Sequence, residues 1–568
     1  MLATVTCQVA LSIAIQIQAA GTTAACNSAF PDSGVYRLPS PFDIPGLAHI
    51  DGKQTRHKLG LRVHSGRIRT AIAGVVDYPM VLLRVIGEND LFQPQLRLPM
   101  SYTPDMKDHQ ILGRAYEHAC NFRDNVSDRA PRPTISPGEL LALFDGPTPE
   151  VGENPVAVID ALNAAADPGL TASVGPRFFG WVIGASEPVG VAADLLTSVW
   201  GQNAALYACS PAAAMAEKVA SRWLLDILRL PKESSIGFVT GATMAGFVCL
   251  AAARTAVLSR VGWDVEIDGL MGAPAVRVFI GQDAHVTIFA ALRYLGFGNR
   301  AVRIPTDSQG RMDAAALNAH LAADHGPAIV MAQAGQINTG AFDPIREIAS
   351  VCRQHNAWLH VDGAFGLWAQ LVPEMNELTA GMENADSWST DGHKWLQLPY
   401  DSGFAIVRDS AAHRRAMAMS ASYLPPVNEG EYDPGQFVPE LSRRARGFPV
   451  WAQLRAMGRQ GLTDMVRTHC EMARRLARQL ASEPGVQILN EVVLNQLIVR
   501  FGTGSAAECD ALTRATVAQL QADNICLAGG ADWRGQAVLR ISIIAAPLTE
   551  ADIDRLAAAV LAAWRRVS

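Results

Sequence analysis

Between residues 236 and 409 short, continuously apolar runs alternate with helical stretches, and no other feature restricts the fold as much. The runs are "AVRVFIG" (275–281), "AIVMAQAG" (328–335), "AWLHVD" (357–362), "ADSWST" (385–390) and "GFAIVRD" (403–409). Strands that are apolar on both faces and separated by helices belong to a mainly parallel sheet covered on both sides, so the expected class is α/β. Just before them, "IGFVTGATMAGFVCLAAARTAVL" (236–258) reads as a strand, a small-residue turn and an apolar helix. "SPAAAMAEKVASRWLLDILRLP" (210–231) reads as a helix capped by Ser210, with Pro211 in its first turn and Pro231 past its end. After about residue 440 come long Arg- and Ala-rich helices, such as 449–483, two strand-like segments, "LNQLIVRF" (494–501) and "AVLRISII" (537–544), and a last helix. This change predicts a smaller α+β carboxy-terminal domain.

A chain of 568 residues is too long for one small core. The expected division is an unassigned extension over 1–105, a helical segment over 106–190, a large domain over 191–440 and the small domain over 441–568. The first convincing amphipathic helix is 109–126, with Ile111, Leu112, Tyr116 and Phe122 at helical spacing. It begins just after Met106, which suggests a functional chain that starts there; a genuine arm before it is the alternative. Residues 1–26 are nearly uncharged, yet no Lys or Arg precedes the apolar run and Gln8, Gln16 and Gln18 interrupt it, which argues against a secretory signal or a membrane span. The net charge of −6, with no sustained basic block, makes nucleic acid a poor partner. Nine cysteines without a CxxC spacing fit free thiols in a reducing cytoplasm, with no disulfide framework and no metal site.

In open α/β sheets ligands sit at the carboxyl ends of the strands. "VTGATMAG" (239–246) there offers free backbone N–H groups at a helix start, fit for a phosphate. "DAH" (283–285) ends in His285, which could lie flat against a planar ligand, "HVDGAFG" (360–366) ends its strand in Asp362, and "STDGHKW" (389–395) carries Lys394 after the next strand. Taken singly, each has an ordinary role as packing turn, structural imidazole, turn cap or solvated charge. Together they are the parts that hold pyridoxal phosphate: Lys394 for a Schiff base, Asp362 to keep the ring nitrogen protonated, and His285 to stack on the ring.

With this order and spacing, "STDGHKW", "HVDGAFG", "DAH" and "SPA" followed by Glu217 resemble the group II pyridoxal-phosphate decarboxylases, which act on aromatic amino acids, glutamate and histidine. The resemblance covers roughly 110–565. It implies the aspartate-aminotransferase fold, PLP fold type I, and a homodimer with sites at the subunit interface. It also implies decarboxylation of an L-amino acid to the amine and carbon dioxide. Carried over residue by residue, it assigns Lys394 to the Schiff base and Asp362 to the pyridinium nitrogen. Ala364 lies under the ring opposite His285, Ala242 and Thr243 take the phosphate-binding positions, and His393 precedes the lysine close to the cofactor. Asp391 stands where aromatic amino-acid decarboxylases carry an asparagine near the phosphate, and Gln336 and Gly184 replace threonines that contact the cofactor there. Tyr423, in "SASYLPPV", matches a loop tyrosine that protonates the carbon losing carbon dioxide; phenylalanine at that position accompanies aldehyde-forming relatives. Phe178 and Phe179, in "PRFFGWV" (176–182), match the substrate-pocket segment, although as aromatics they fit a core equally well. Arg540 matches an arginine that recognises substrate carboxylate in glutamate decarboxylases. An aldehyde-forming decarboxylase, a carbon–carbon lyase and a catalytically silent homologue are the alternatives.

Overall fold

The structure, a computed structural model, describes the strands Arg62–Gly66 and Met80–Arg84 and residues 108–568 apart from Ser420, Tyr423, Leu424 and Pro547. The start near Met106 and most of the 1–105 segment therefore lie outside the described residues. The chain divides into two compact units, Met1–Leu98 and Pro99–Ser568. In the first, β1 (Arg62–Gly66) and β2 (Met80–Arg84) pair antiparallel. Everything that follows concerns the second.

Its large sheet has seven strands: β3 (Ser235–Val239), β4 (Arg277–Gly281), β5 (Val302–Ile304), β6 (Ala328–Gln333), β7 (Trp358–Asp362), β8 (Ser387–Asp391) and β9 (Gly403–Val407), in the order β3-β9-β8-β7-β6-β4-β5. Strands β4 to β8 run parallel, and every residue of β6, β7, β8 and β9 is buried. Burial on both faces suits the apolar runs of β6 and β9, while β8 buries Ser387, Ser389, Thr390 and Asp391 and β7 buries His360 and Asp362. β9 alone runs against the others. Its connection from β8 is a run of turns with no helix, and a parallel return needs a crossover of a dozen or more residues.

Helix Ala242–Ser259 follows β3 directly and is mostly buried against this sheet, so its apolar length serves packing. Four fully buried tryptophans, Trp358, Trp368, Trp388 and Trp395, fill the space around the central strands. A second, antiparallel sheet has the order β10-β11-β13-β12, from Val486–Ile488 (β10), Gln496–Phe501 (β11), Gly529–Trp533 (β12) and Gln536–Ser542 (β13). Helices Ala506–Asp523 and Glu550–Val567 cover it. The long helix Gly447–Ala481 is kinked at Gly458, whose φ of 61° breaks the helical run.

A buried ion pair ties the large sheet to the segment after it. Arg443 Nη1 donates to both carboxylate oxygens of Glu217 at 3.0 Å and to the Ala204 carbonyl, while Nη2 donates to the Phe238 carbonyl at 2.7 Å. Both side chains are wholly inaccessible, so each charge depends on the other.

Candidate active site

The carboxyl ends of β3, β4, β6, β7 and β8 converge on a cavity of about 370 Å³. It is lined by Thr240–Thr243 after β3, His285 and Thr287 after β4, Gln333, Gly335 and Ile337 at the end of β6, and Asp362, Ala364 and Phe365 at the end of β7. Asp391, His393, Lys394 and Tyr400 follow from β8. Eight residues singled out in the sequence, Lys394, Asp362, His285, Ala364, Ala242, Thr243, His393 and Asp391, thus share one cavity.

Lys394 sits on a short turn whose shape is fixed from below. Gln397, fully buried with φ 54°, donates its side-chain amide to the Lys394 carbonyl at 3.0 Å and to the Ile544 carbonyl at 2.8 Å. Its side-chain oxygen accepts the Ala185 N–H at 2.9 Å. The lysine ammonium lies 2.8 Å from Asp391 Oδ2, while Oδ1 accepts the Ala242 N–H at 2.5 Å. Asp391 therefore links the lysine to the start of helix Ala242–Ser259. His393 Nδ1 accepts the Ser402 N–H at 3.3 Å, which leaves Nε2, 3.4 Å from Asp391, as the protonated nitrogen. Burial, more than any neighbouring charge, holds this imidazole below its usual pKa. The Tyr400 ring packs 4.2 Å from it at the cavity mouth.

Across the cavity, Asp362 Oδ1 accepts the Ala364 N–H at 3.2 Å and the Ser389 hydroxyl at 3.5 Å. Burial pushes its carboxyl above the ordinary range, opposed by the nearby His285 and Lys394. Behind it His360, fully buried and held by burial at a pKa of about 3, contacts Ser387 and Ser389 as a neutral ring. His285 caps helix Val286–Tyr294 by accepting the Thr287 N–H and hydroxyl at Nδ1. Burial lowers its pKa too, against the pull of Asp362. A neutral imidazole with one nitrogen engaged in capping keeps a fixed orientation.

Arg540, on β13, reaches the rim: its guanidinium donates to the Ile337 carbonyl at 3.4 Å and has no carboxylate partner among the described residues. Burial lowers its pKa. A half-buried cation without a counter-ion, beside a cavity, is a place for an anion.

Several expectations need correction. Phe178 and Phe179 do not face the cavity. Phe179 is 1% exposed and packs with Leu497, Val499 and Ile541 in the core of the small sheet, and Phe178, 3% exposed, bridges to Leu527. Phe179 thus covers the central strands β11 and β13 of the small sheet. Gln336 is not a cavity residue either, because its amide donates to the Asp283 carbonyl and its oxygen accepts the N–H groups of Asn338 and Thr339. At Gly184 the contact is with main chain: an added Cβ would lie 2.7 Å from the His393 carbonyl oxygen and closer still to that of Lys394. Tyr423 lies outside the described residues. Sequence reasoning passed over Gln333, Tyr400 and Phe365; a glutamine ending a wholly apolar strand was the signal for the first.

The donor set fits pyridoxal phosphate. At the start of helix Ala242–Ser259 the N–H groups of Thr243 and Met244 have no acceptor among the described residues, and Ala242's is taken by Asp391. Gly241 keeps this cradle open: a Cβ there would come within 3.1 Å of His393 and 3.2 Å of Asp391. A phosphate-sized anion site, a buried carboxylate, an amine and a flat imidazole face one volume.

Comparison with known proteins agrees. The sequence model of the pyridoxal-dependent decarboxylase conserved domain matches residues 137–501. An aromatic-L-amino-acid decarboxylase of Bacillus atrophaeus is 27% identical over 411 residues, 71% of this chain and 83% of the relative. A 4-hydroxyphenylacetaldehyde synthase of Rhodiola rosea is 28% identical over 382 residues, 65% and 76% of the two chains. The crystal structure of Oryza sativa TDC with PLP and tryptamine superposes with a TM-score of 0.77 at 23% identity, over 82% of this chain and 99% of that one, a likeness of fold.

Proposed function

Since the chain belongs to the pyridoxal-dependent decarboxylase family, built on PLP fold type I and using pyridoxal 5'-phosphate as a carboxy-lyase cofactor, we propose that it converts an L-amino acid to its primary amine and carbon dioxide. The observation that carries this is the convergence of Lys394, Asp362 and His285, from three different strand ends, on one cavity beside an arginine with no carboxylate partner among the described residues.

When bound, the cofactor supplies an electron-accepting ring for the pair left at Cα as carbon dioxide leaves. The chain does the rest. Lys394 Nζ is the attachment point and Asp391 orients it. Thr243 and Met244 N–H groups receive the phosphate with the helix dipole behind them. Asp362 would hold a proton on the ring nitrogen, and its burial keeps water from competing for it. His285 would offer its neutral, capped imidazole for a planar ring to pack on, and Ala364 is too small to obstruct one. Arg540 anchors a carboxylate of the substrate, which sets the orientation of the Cα substituents. Tyr423 Oη delivers the proton to Cα.

A second reading, aldehyde formation, is favoured by the Rhodiola rosea relative. It consumes dioxygen and water and yields carbon dioxide, ammonia, hydrogen peroxide and the aldehyde. The tyrosine at 423 supports the amine. We further propose a homodimer: Leu141, Phe144, Leu162, Leu195, Leu196 and Trp200, on helices Pro137–Phe144, Pro155–Ala166 and Pro188–Trp200, are all exposed, apolar side chains that a second copy could cover. A cytoplasmic location is supported by the seven described cysteines, all free thiols.

The test is to incubate the reconstituted enzyme with each common L-amino acid, follow carbon dioxide release, and identify the organic product. Amine without peroxide from the wild type, and aldehyde with peroxide from Tyr423→Phe, is the expected pair of results. Aldehyde from the wild type would replace the first reading by the second, and no carbon dioxide from any amino acid would overturn both.

A further inference from the structure

Gln333 ends β6, the strand beside β7, and is the direct register partner of Asp362. Parallel partners project their side chains to the same side of a sheet, so the glutamine amide and the Asp362 carboxylate point together into the cavity that both line. Its main chain is immobilised: the N–H donates to Asp343 Oδ2 at 2.7 Å and the carbonyl accepts the Asp343 N–H at 3.0 Å. The residue is only 6% exposed, and its side-chain amide, which has no hydrogen-bond partner among the described residues, opens onto this cavity. A side chain held on a fixed strand end, facing a ligand cavity with its amide free, is placed to contact what fills that cavity.

The strand order says which atom it meets. In pyridoxal phosphate the phosphate-bearing carbon and the phenolic oxygen lie on opposite sides of the axis from the ring nitrogen to the aldehyde carbon. The phosphate cradle follows β3, and the sheet order β3-β9-β8-β7-β6 places it on one side of Asp362 and Gln333 on the other. With the ring nitrogen at Asp362, the phenolic oxygen faces β6. Gln336, the other glutamine of this loop, is consumed by Asp283, Asn338 and Thr339. We propose that Gln333 is a cofactor-binding residue whose side-chain N–H donates to the phenolic oxygen of pyridoxal phosphate. The assignment rests on the placement of the cofactor in this cavity.

The experiment is a two-by-two cycle of equilibrium binding to the apoprotein, read by intrinsic tryptophan fluorescence, with wild type and Gln333→Met against pyridoxal 5'-phosphate and its 3-deoxy analogue. Methionine keeps length and volume and removes the donor. Gln333→Met should weaken pyridoxal phosphate about tenfold, the range of one hydrogen bond to an ionised oxygen, and change the deoxy analogue less than about twofold. Equal losses for both ligands, or no loss for either, would overturn the proposal. If Gln333→Met does not fold, Gln333→Glu serves, since a carboxylate facing the phenolic oxygen should penalise pyridoxal phosphate more than the deoxy analogue, and equal penalties would overturn it. Wild-type labelling of Lys394 with borohydride separates failure of this contact from failure of the cofactor placement.

Discussion

Gly184 offers a quantitative test of how the lysine turn is held. A Cβ at this position would stand 2.7 Å from the His393 carbonyl oxygen and 2.9 Å from the Lys394 carbonyl carbon, whereas ordinary contact begins at 3.4 Å. All the obstructing atoms are main chain, so no side chain can rotate away. The two backbones must part by roughly 1 Å, and a packed interior yields to that only with strain of about 1–3 kcal/mol. Parting them also stretches the bridge in which Gln397 joins the Ala185 N–H to the Lys394 carbonyl, at about 1 kcal/mol for each hydrogen bond lost. Gly184→Ala should therefore destabilise the apoprotein by about 2–5 kcal/mol in denaturant unfolding. A lysine displaced by about 1 Å should lower carbon dioxide release by about 100-fold. Gly461→Ala is the control: its Cβ meets only the Met457 Cβ at 3.5 Å, inside helix Gly447–Ala481, and should stabilise by about 0.5–1 kcal/mol. A Gly184→Ala protein with wild-type unfolding midpoint and turnover would refute the reasoning.

Other outcomes follow from buried charges. Arg443→Met leaves Glu217 uncompensated and should cost about 3–5 kcal/mol in unfolding free energy, whereas a loss under 1 kcal/mol would show that the pair is not buried as described. His413, fully buried between the Ser235 hydroxyl and the Phe437 carbonyl, is held by burial at a pKa of about 3 instead of its ordinary 6.5. Between those values the unfolded chain binds a proton there that the folded chain does not, so the residue's contribution to stability falls as pH drops from 6.5 toward 3. Replacing it by glutamine should reduce the slope of unfolding free energy against pH by about 1.4 kcal/mol per unit in that window, and an unchanged slope would show that His413 is accessible.

The features legible in the sequence are those carried by local pattern. Runs such as "AIVMAQ" and "WLHVD" are mainly apolar because β6 and β7 are buried on both faces, and period and length reveal that without any tertiary knowledge. Asp362, Asp391 and Lys394 were visible because polar residues closing such runs stand out. The direction of β9 was not, since it depends on a turn whose fold is set by Gln397 and by the close approach of Gly403 to Gly241, where a Cβ would come 2.6 Å from the Gly241 carbonyl carbon. β10 and β12 escaped notice as a three-residue edge strand and a Gly-Gly edge strand with little pattern of their own. Phe178 and Phe179 were misplaced because an aromatic pair has the same sequence appearance lining a pocket or filling a core. The demand for glycine at 184 arises from chain more than 200 residues away, and the meaning of Gln333 from the register of two strands; neither distance is written locally.

Lys394 is the proposed carrier of the cofactor in the cavity shared with Asp362 and His285. The most direct measurement is borohydride reduction of the protein reconstituted with pyridoxal 5'-phosphate, followed by peptide mass mapping. One phosphopyridoxyl group per chain is expected, on the peptide containing Lys394, and none on a Lys394→Ala protein. Labelling of another lysine, or undiminished labelling of Lys394→Ala, would contradict it.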